Sequence, residues 1–455
     1  MEFNRHILTE LTAWKVDTNR KPLILRGARQ VGKTTLVKQF SKTYEYRILL
    51  NLEKEADLKY FQKTDDVSVI VESLFVANNI PSTSIDDTLL FIDEIQESPK
   101  AIQLLRYFYE EIPKLHVIAA GSLLEFAMHK VKSFPVGRIQ YLYLHPINFA
   151  EYLDAIDKEI ALQQLNIIPV KGIAHDTLLK LFNRYAIIGG MPEIVKLDIQ
   201  HNSVSDLPKA YESIWGTWQN DVEKYSSSKT DRTVIKHVIS TAHLYIDQRI
   251  KFNNFGESNY KSREVGEAMR NLDAAKIIQL IYPTTDTEPP VKSNLKKSPR
   301  LQFLDTGLVN HALSIQSELI GMENLSNTHK GAIIPHLITQ ELISTSTFQN
   351  KKPHFWVREK KSTSSEIDLV FTYKNKLIPI EIKSGKAGTL KSLHQFLGRV
   401  NHCYGIRIYA GEFRIEELKT PEGKPYLLMN MPYYLGTKIP EYVAYFVENF
   451  KIASS

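Results

Sequence analysis

The chain holds a single cysteine, Cys403, in 455 residues. That excludes an intrachain disulfide and is the usage expected of a reducing, cytoplasmic compartment. No apolar run approaches the ~18 residues of a membrane-spanning helix, so no membrane segment is expected. The opening Met1-Glu2-Phe3-Asn4-Arg5-His6 is polar and carries no signal-peptide core. The histidines, His6 and His145 among them, show no metal-ligand spacing. A strong charge of one sign is also missing. The net charge is +6 and the pI about 8.9, which permits nucleic acid as a partner without demanding it. What remains is a globular composition, 43% hydrophobic and 24% charged, in a chain long enough for about three domains at ~150 residues each.

The most informative stretch is Gly27-Ala28-Arg29-Gln30-Val31-Gly32-Lys33-Thr34-Thr35. It fits G-x-x-x-x-G-K-[ST], the phosphate-binding loop. Pro22-Leu23-Ile24-Leu25 reads as a buried strand before it, and Thr35 to Phe40 as a helix after it. Backbone N–H groups of such a turn wrap a polyphosphate at the positive end of a helix dipole. Lys33 is expected to reach the β- and γ-phosphates and the Thr34 hydroxyl to bind Mg²⁺. Arg29 reads as a surface contact to nucleotide or neighbour.

Leu89-Leu90-Phe91-Ile92 is the apolar run of a buried parallel strand, and Asp93 and Glu94 stand at its C-terminal end. Asp93 is expected to hold Mg²⁺ through water, and Glu94 to orient the attacking water. A third strand, His116 to Ser122, ends in a small polar residue. Ser122 reads equally as a γ-phosphate sensor or as a helix N-cap with Glu125 at N3. Arg138, in Phe134-Pro135-Val136-Gly137-Arg138, is a candidate for stabilising transition-state charge. Pairing with a surface carboxylate is the alternative.

From Phe149 to about Tyr225 the pattern is helical, interrupted by the corner Gly189-Gly190-Met191-Pro192. Residues 229–315 resemble a winged helix-turn-helix, with one helix over Ser262–Met269 and a second over Asn271–Leu280. The following loop carries Lys292, Lys296, Lys297 and Arg300, as a DNA-contacting wing would. Glu264, Glu267 and Asp273 lower the positive field there.

The C-terminal part carries a second signal. Glu366 to Phe371 and Leu377 to Lys383 read as two strands around the turn Thr372–Lys376. Period two puts Glu381 and Lys383 on one face, and antiparallel pairing brings Asp368 alongside. Two carboxylates and a lysine on one face can hold a divalent metal. The pattern is similar to that of a nuclease superfamily with an Asp followed by Glu-x-Lys. There a helix often adds a further acid, for which Glu341 in Ile333–Leu342 is the candidate. Lys351, Lys352, Lys360, Lys361, Lys386 and Lys391 read as a basic rim or as a solvated surface.

With these residues assembled, the chain resembles AAA-superfamily ATPases in which the ATPase core precedes a C-terminal domain of the DUF4143 type. The matching segments are Arg26–Thr35, Leu90–Gln96, Gly121-Ser122, Gly137-Arg138, Gly189–Pro192, Phe303–Leu308 and Pro379–Gly385. The resemblance implies ATP and Mg²⁺ as ligands and raises Arg138 as a γ-phosphate sensor or finger. It also implies that the corner at Gly189 packs a helical lid against the nucleotide. The expected fold is α/β. A P-loop NTPase parallel sheet fills 1–148 and a helical lid 149–228. A winged helix-turn-helix fills 229–320, and a restriction-endonuclease-like α/β domain 321–455. The expected function is Mg²⁺-dependent ATP hydrolysis driving a switch coupled to the C-terminal domain. Two alternatives stay open: an ATP-gated metal-dependent nuclease, and a nucleotide-stabilised binding module without turnover. DNA, a protein and a second copy of the chain are the candidate partners.

Overall fold

The computed structural model describes residues 1–122, 124, 135, 137–201, 206–222, 226, 228–316, 331–349, 351–358, 365–383 and 390–452. The chain forms two compact units. The first comprises 1–145 with the short segments 274–277 and 346–350; the second comprises 146–273, 278–345 and 351–455.

The first unit is built on five parallel strands: β1 (Leu23–Arg26), β2 (Tyr46–Asn51), β3 (Thr88–Asp93), β4 (His116–Ala120) and β5 (Gln140–Tyr143). Their order is β2-β3-β4-β1-β5. β3 and β4 are buried along their whole length, so both read as unbroken apolar runs rather than as alternation. The helices are α1 (Ile7–Val16), α2 (Lys33–Ser41), α3 (Glu55–Lys63), α4 (Val67–Ala77) and α5 (Pro99–Glu111). Asp66 caps α4 by accepting from Ser68 and Val69 N–H; Ser98 caps α5, with Pro99 in its first turn. Phe61, Leu74 and Phe108 from these helices share one core with Leu90, Ile92 and Val117 of the sheet. Because the strands are parallel, their C-terminal ends lie along one edge. Leu25 stands level with Ala120 and Ile92 with Ala119, so Gly27, Asp93–Glu94 and Gly121–Ser122 emerge side by side.

The second unit begins with helices α6 (Phe149–Ala155), α7 (Glu159–Leu165), α8 (His175–Ile188), α9 (Pro192–His201), α10 (Pro208–Asn220), α11 (Lys229–Ala242) and α12 (Ser262–Ala274). A two-stranded antiparallel ribbon follows, β6 (Ile278–Ile281) with β7 (Arg300–Phe303), then α13 (Thr306–Ala312) and α14 (Ile333–Ser344). This corrects the expected second helix over Asn271–Leu280. One helix runs on to Ala274, Lys276 turns left-handed with φ of 64°, and the β-branched Ile277 and Ile278 lead into a strand.

The C-terminal sheet is mixed, with order β12-β13-β11-β10-β9-β8. Its strands are β8 (His354–Val357), β9 (Glu366–Tyr373), β10 (Lys376–Ile382), β11 (Tyr404–Tyr409), β12 (Arg414–Lys419) and β13 (Pro425–Pro432). The β9–β10 hairpin turns at Lys374 and sets Ile380 against Leu369. α15 (Lys391–Leu397) carries the chain from β10 to its parallel neighbour β11. Its Leu393, Phe396 and Leu397 pack on Trp356, Ile367 and Leu428. α16 (Ile439–Asn449) follows β13.

Candidate functional site

Gly27 leaves β1 with φ of 155°, and a Cβ there would lie 2.3 Å from the Leu144 carbonyl oxygen. Gly32 closes the loop in the left-handed region, φ 95°, as the N-cap of α2. Lys33 folds back over the turn, its Nζ donating to the carbonyls of Gly27 at 3.0 Å and Ala28 at 2.8 Å. Thr35 follows on the exposed side of α2. The Thr34 hydroxyl donates to Asp93 Oδ2 at 2.7 Å, joining the loop to the end of β3. Burial raises the Asp93 pKa and the Glu94 charge adds to this; the Thr34 hydrogen bond and Lys33 oppose it.

Glu94 adopts φ 50°, ψ 44°, a left-handed conformation that costs a non-glycine residue on the order of 1–3 kcal/mol. Gln96 holds its carboxylate. Its Nε2 donates to Glu94 Oε2 at 2.5 Å, and its Oε1 lies 2.2 Å from where a Cβ on Gly121 would stand. Gly121 is thus the space that lets Gln96 reach the end of β4. Ser122 is buried on the same edge. Glu125, its expected capping partner, lies outside the described residues.

Arg5 is a supporting residue that no motif announces. It is buried, and its guanidinium donates to the carbonyls of Val31 in the loop at 3.4 Å and His145 at 2.6 Å. A lone arginine before a helix carries no spacing signal, and only the fold brings it behind the loop.

Arg138 stands elsewhere. It enters β5 two residues before Gln140, which is level with Leu23 at the start of β1. The four residues of β1 therefore separate it from the loop edge by roughly 13 Å along the strand direction. Its Nε donates to Glu110 Oε1 at 2.9 Å, at the end of α5. The alternative of a surface carboxylate partner is the one observed, and Arg138 does not face its own chain's phosphate loop.

The loop fits a magnesium–triphosphate group. Two glycines give the backbone its curvature, Lys33 is held over the turn, and the Thr34 and Asp93 oxygens that would take Mg²⁺ already converge.

In the second unit the β9–β10 hairpin brings together Asp368, Glu381 and Lys383. Asp368 Oδ2 accepts from the Ile382 N–H at 2.7 Å, and Lys383 Nζ donates to Glu381 Oε1 at 2.6 Å. Glu341 does not join them. It is fully buried on α14, where its carboxyl accepts from the Phe149 N–H at 3.1 Å and sits 2.7 Å from the Tyr185 hydroxyl. Burial pushes its pKa up to about 8. Of the expected wing cations, Lys292 and Lys296 are exposed, but Arg300 is buried among acids. Lys352 of the expected rim pairs with Asp273 at 2.5 Å, whereas Lys360, Lys361 and Lys386 lie outside the described residues.

Two short motifs, Gly189–Pro192 and Phe303–Leu308, lock onto each other. Asp305 Oδ2 accepts from the Gly190 N–H at 2.6 Å, and Oδ1 from the Leu308 N–H at 3.1 Å as the N-cap of α13. A Cβ on Gly190 would meet the Ile147 carbonyl at 2.0 Å, and one on Gly307 the Ile188 carbonyl at 1.9 Å. Both glycines are therefore required by close backbone approach.

Residues 19–153 match the family model described as an AAA domain. Residues 179–319 match a domain of unknown function, DUF8612, and residues 330–424 another, DUF4143. No curated protein matches the chain. Among solved structures it is similar to a Signal Transduction ATPase with Numerous Domains (STAND) protein with a tetratricopeptide repeat sensor from Pyrococcus horikoshii. The identity is 12% and the TM-score 0.29, over 76% of this chain and 49% of that one. The chain thus spans about half the length of that protein, and a likeness this low transfers neither fold nor activity. Among the described residues no helix is long and apolar enough to cross a membrane.

Proposed function

In a chain that joins an AAA domain to a C-terminal DUF4143 domain, we propose that the first unit binds and hydrolyses ATP and that the nucleotide state works a switch. The observation that carries this reading is the 2.7 Å hydrogen bond from Thr34 to Asp93. It brings a hydroxyl and a carboxylate together at the mouth of a glycine-shaped turn, where the first would bind Mg²⁺ and the second would hold it through water. Bound Mg²⁺ would neutralise charge on the β- and γ-phosphates. Lys33 exchanges the carbonyls of Gly27 and Ala28 for phosphate oxygens. Glu94, restrained by Gln96, accepts a proton from the attacking water and points it at the γ-phosphate. Ser122, on the same edge, would sense that phosphate.

The switch we propose runs through residues 149–228 as a helical lid and 229–320 as a winged-helix-like module, to the C-terminal domain over 321–455. The Asp305–Gly190 lock couples the first two of these segments. ATP is the ligand, the partner is DNA or a protein, and self-association and a cytoplasmic setting belong to the same reading.

ATP turnover and ATP binding test it together. Lys33→Ala should lose both, because the cradle's cation is gone. Glu94→Gln should keep binding and lose turnover by a factor of roughly 10²–10⁴, the usual worth of a positioned base. Turnover unchanged in both variants would remove the assignment.

A further inference from the structure

The C-terminal hairpin carries the acids of a metal site, yet their surroundings do not fit a metal. Arg300, the first residue of β7, lies among three carboxylates. Its Nη2 donates to Glu366 Oε1 and stands 3.8 Å from Asp368 Oδ1; its Nη1 lies 3.3 Å from Asp247 Oδ1 and donates to the Asp368 carbonyl at 3.1 Å. The guanidinium carbon sits 4.5 Å from the centre of the Phe355 ring. The side chain is only 7% exposed. Its position is set by backbone, since Asp247 N–H donates to the Leu301 carbonyl at 2.8 Å and Leu301 N–H to that of Gln248 at 3.0 Å. Glu381 has its own cation in Lys383, and Glu366 a second one in Arg249 at 3.7 Å.

A divalent metal needs several oxygens with free lone pairs converging at about 2.0–2.6 Å. Here Glu366 Oε1 accepts from the Arg300 guanidinium, Glu381 Oε1 from the Lys383 ammonium and Asp368 Oδ2 from the Ile382 N–H, and a fixed positive charge repels an incoming dication. Among the described residues no group of three acids, histidines or cysteines has metal-holding geometry. Two acceptors are left over: Asp247 Oδ1 and Glu381 Oε2 are buried without a hydrogen-bond partner, the latter on a residue 6% exposed.

We propose that the Arg300 guanidinium is the resident cation of this acidic face, standing in for the divalent ion that the Asp368, Glu381, Lys383 pattern suggests. Glu366, Asp368 and Asp247 are its ligands, and Arg300 excludes metal while β7 stays paired to residues 246–248. Burial pushes Asp247 and Glu381 up to about 7 and raises Asp368 as well, against the pull of Arg300.

Mn²⁺ uptake by the full chain without nucleotide, followed by calorimetry and electron paramagnetic resonance, tests this. The native chain and Asp368→Asn should take up the same amount, since the native face holds none. Arg300→Gln should gain one equivalent that Asp368→Asn removes again in the double variant. Its melting temperature should rise with Mn²⁺ while the native response stays that of Asp368→Asn. Native uptake that falls in Asp368→Asn would overturn the proposal, as would a folded Arg300→Gln that gains nothing. Should Arg300→Gln fail to fold, the native chain against Asp368→Asn decides alone: equal uptake supports the proposal and unequal uptake ends it.

Discussion

Glu341→Gln gives a prediction whose size follows from the structure. The Tyr185 hydroxyl has one hydrogen but faces two acceptors, the Ile147 carbonyl at 2.8 Å and Glu341 Oε1 at 2.7 Å. A proton on Glu341 resolves the conflict, because Tyr185 then donates to Ile147 and accepts from Glu341. Burial enforces that state by lifting the acid from its ordinary 4.5 to about 8. With the folded-state pKa raised, the stability tied to this proton is complete below pH 4.5 and is lost as the pH climbs through 8. At 1.36 kcal/mol per unit the native chain forfeits about 1 kcal/mol at pH 5 and on the order of 5 kcal/mol at pH 9. Glutamine copies the protonated acid: its amide donates to Tyr185 and its oxygen accepts from the Phe149 N–H. It carries no such pH term. The difference in unfolding free energy between Glu341→Gln and the native chain should therefore move by about 4 kcal/mol in favour of glutamine between pH 5 and pH 9. Urea denaturation at both pH values measures it, and any constant packing loss cancels in the comparison. A difference that stays the same at both pH values would refute the argument.

Further outcomes are expected elsewhere. Gly190→Ala and Gly307→Ala press a Cβ onto carbonyl oxygens at 2.0 and 1.9 Å, so each should lower the melting temperature of the full chain, whereas Gly216→Ala, with open space around it, should not. Arg138→Ala should leave ATP affinity unchanged and stability nearly so, because it loses only a solvent-screened ion pair with Glu110; calorimetry with ATP checks the first and denaturation the second. Gln96→Ala frees the Glu94 carboxylate and should reduce ATP turnover more than ATP binding. Incubation with DNA or RNA and Mn²⁺ should give no cleavage that Asp368→Asn abolishes, because Arg300 occupies that face.

Local patterns account for much of what was legible beforehand. The loop Gly27–Thr35, the apolar strand ending in Asp93 and Glu94, and the hairpin of Asp368 and Glu381 are each contiguous or set by a single strand register. Chain neighbours and a fixed period suffice to place such groups. The helix expected over Asn271–Leu280 failed where isoleucines serve either element, and the left-handed turn at Lys276 settled it.

What the amino-acid order determined by itself is the identity and local spacing of the groups suited to phosphate chemistry: a glycine-shaped turn with Lys33 and Thr34, and two acids closing a buried strand. Tertiary structure alone decided their company. It brought Arg5 behind the loop, Gln96 onto Glu94 and Asp305 onto Gly190. It set Arg138 at the far edge of the sheet and drew Arg300 into the acidic face of the C-terminal hairpin. The reason is range. Hydrogen bonds, ion pairs and burial act over a few ångströms in space, and the strand register and chain crossovers choose which distant residues come that close.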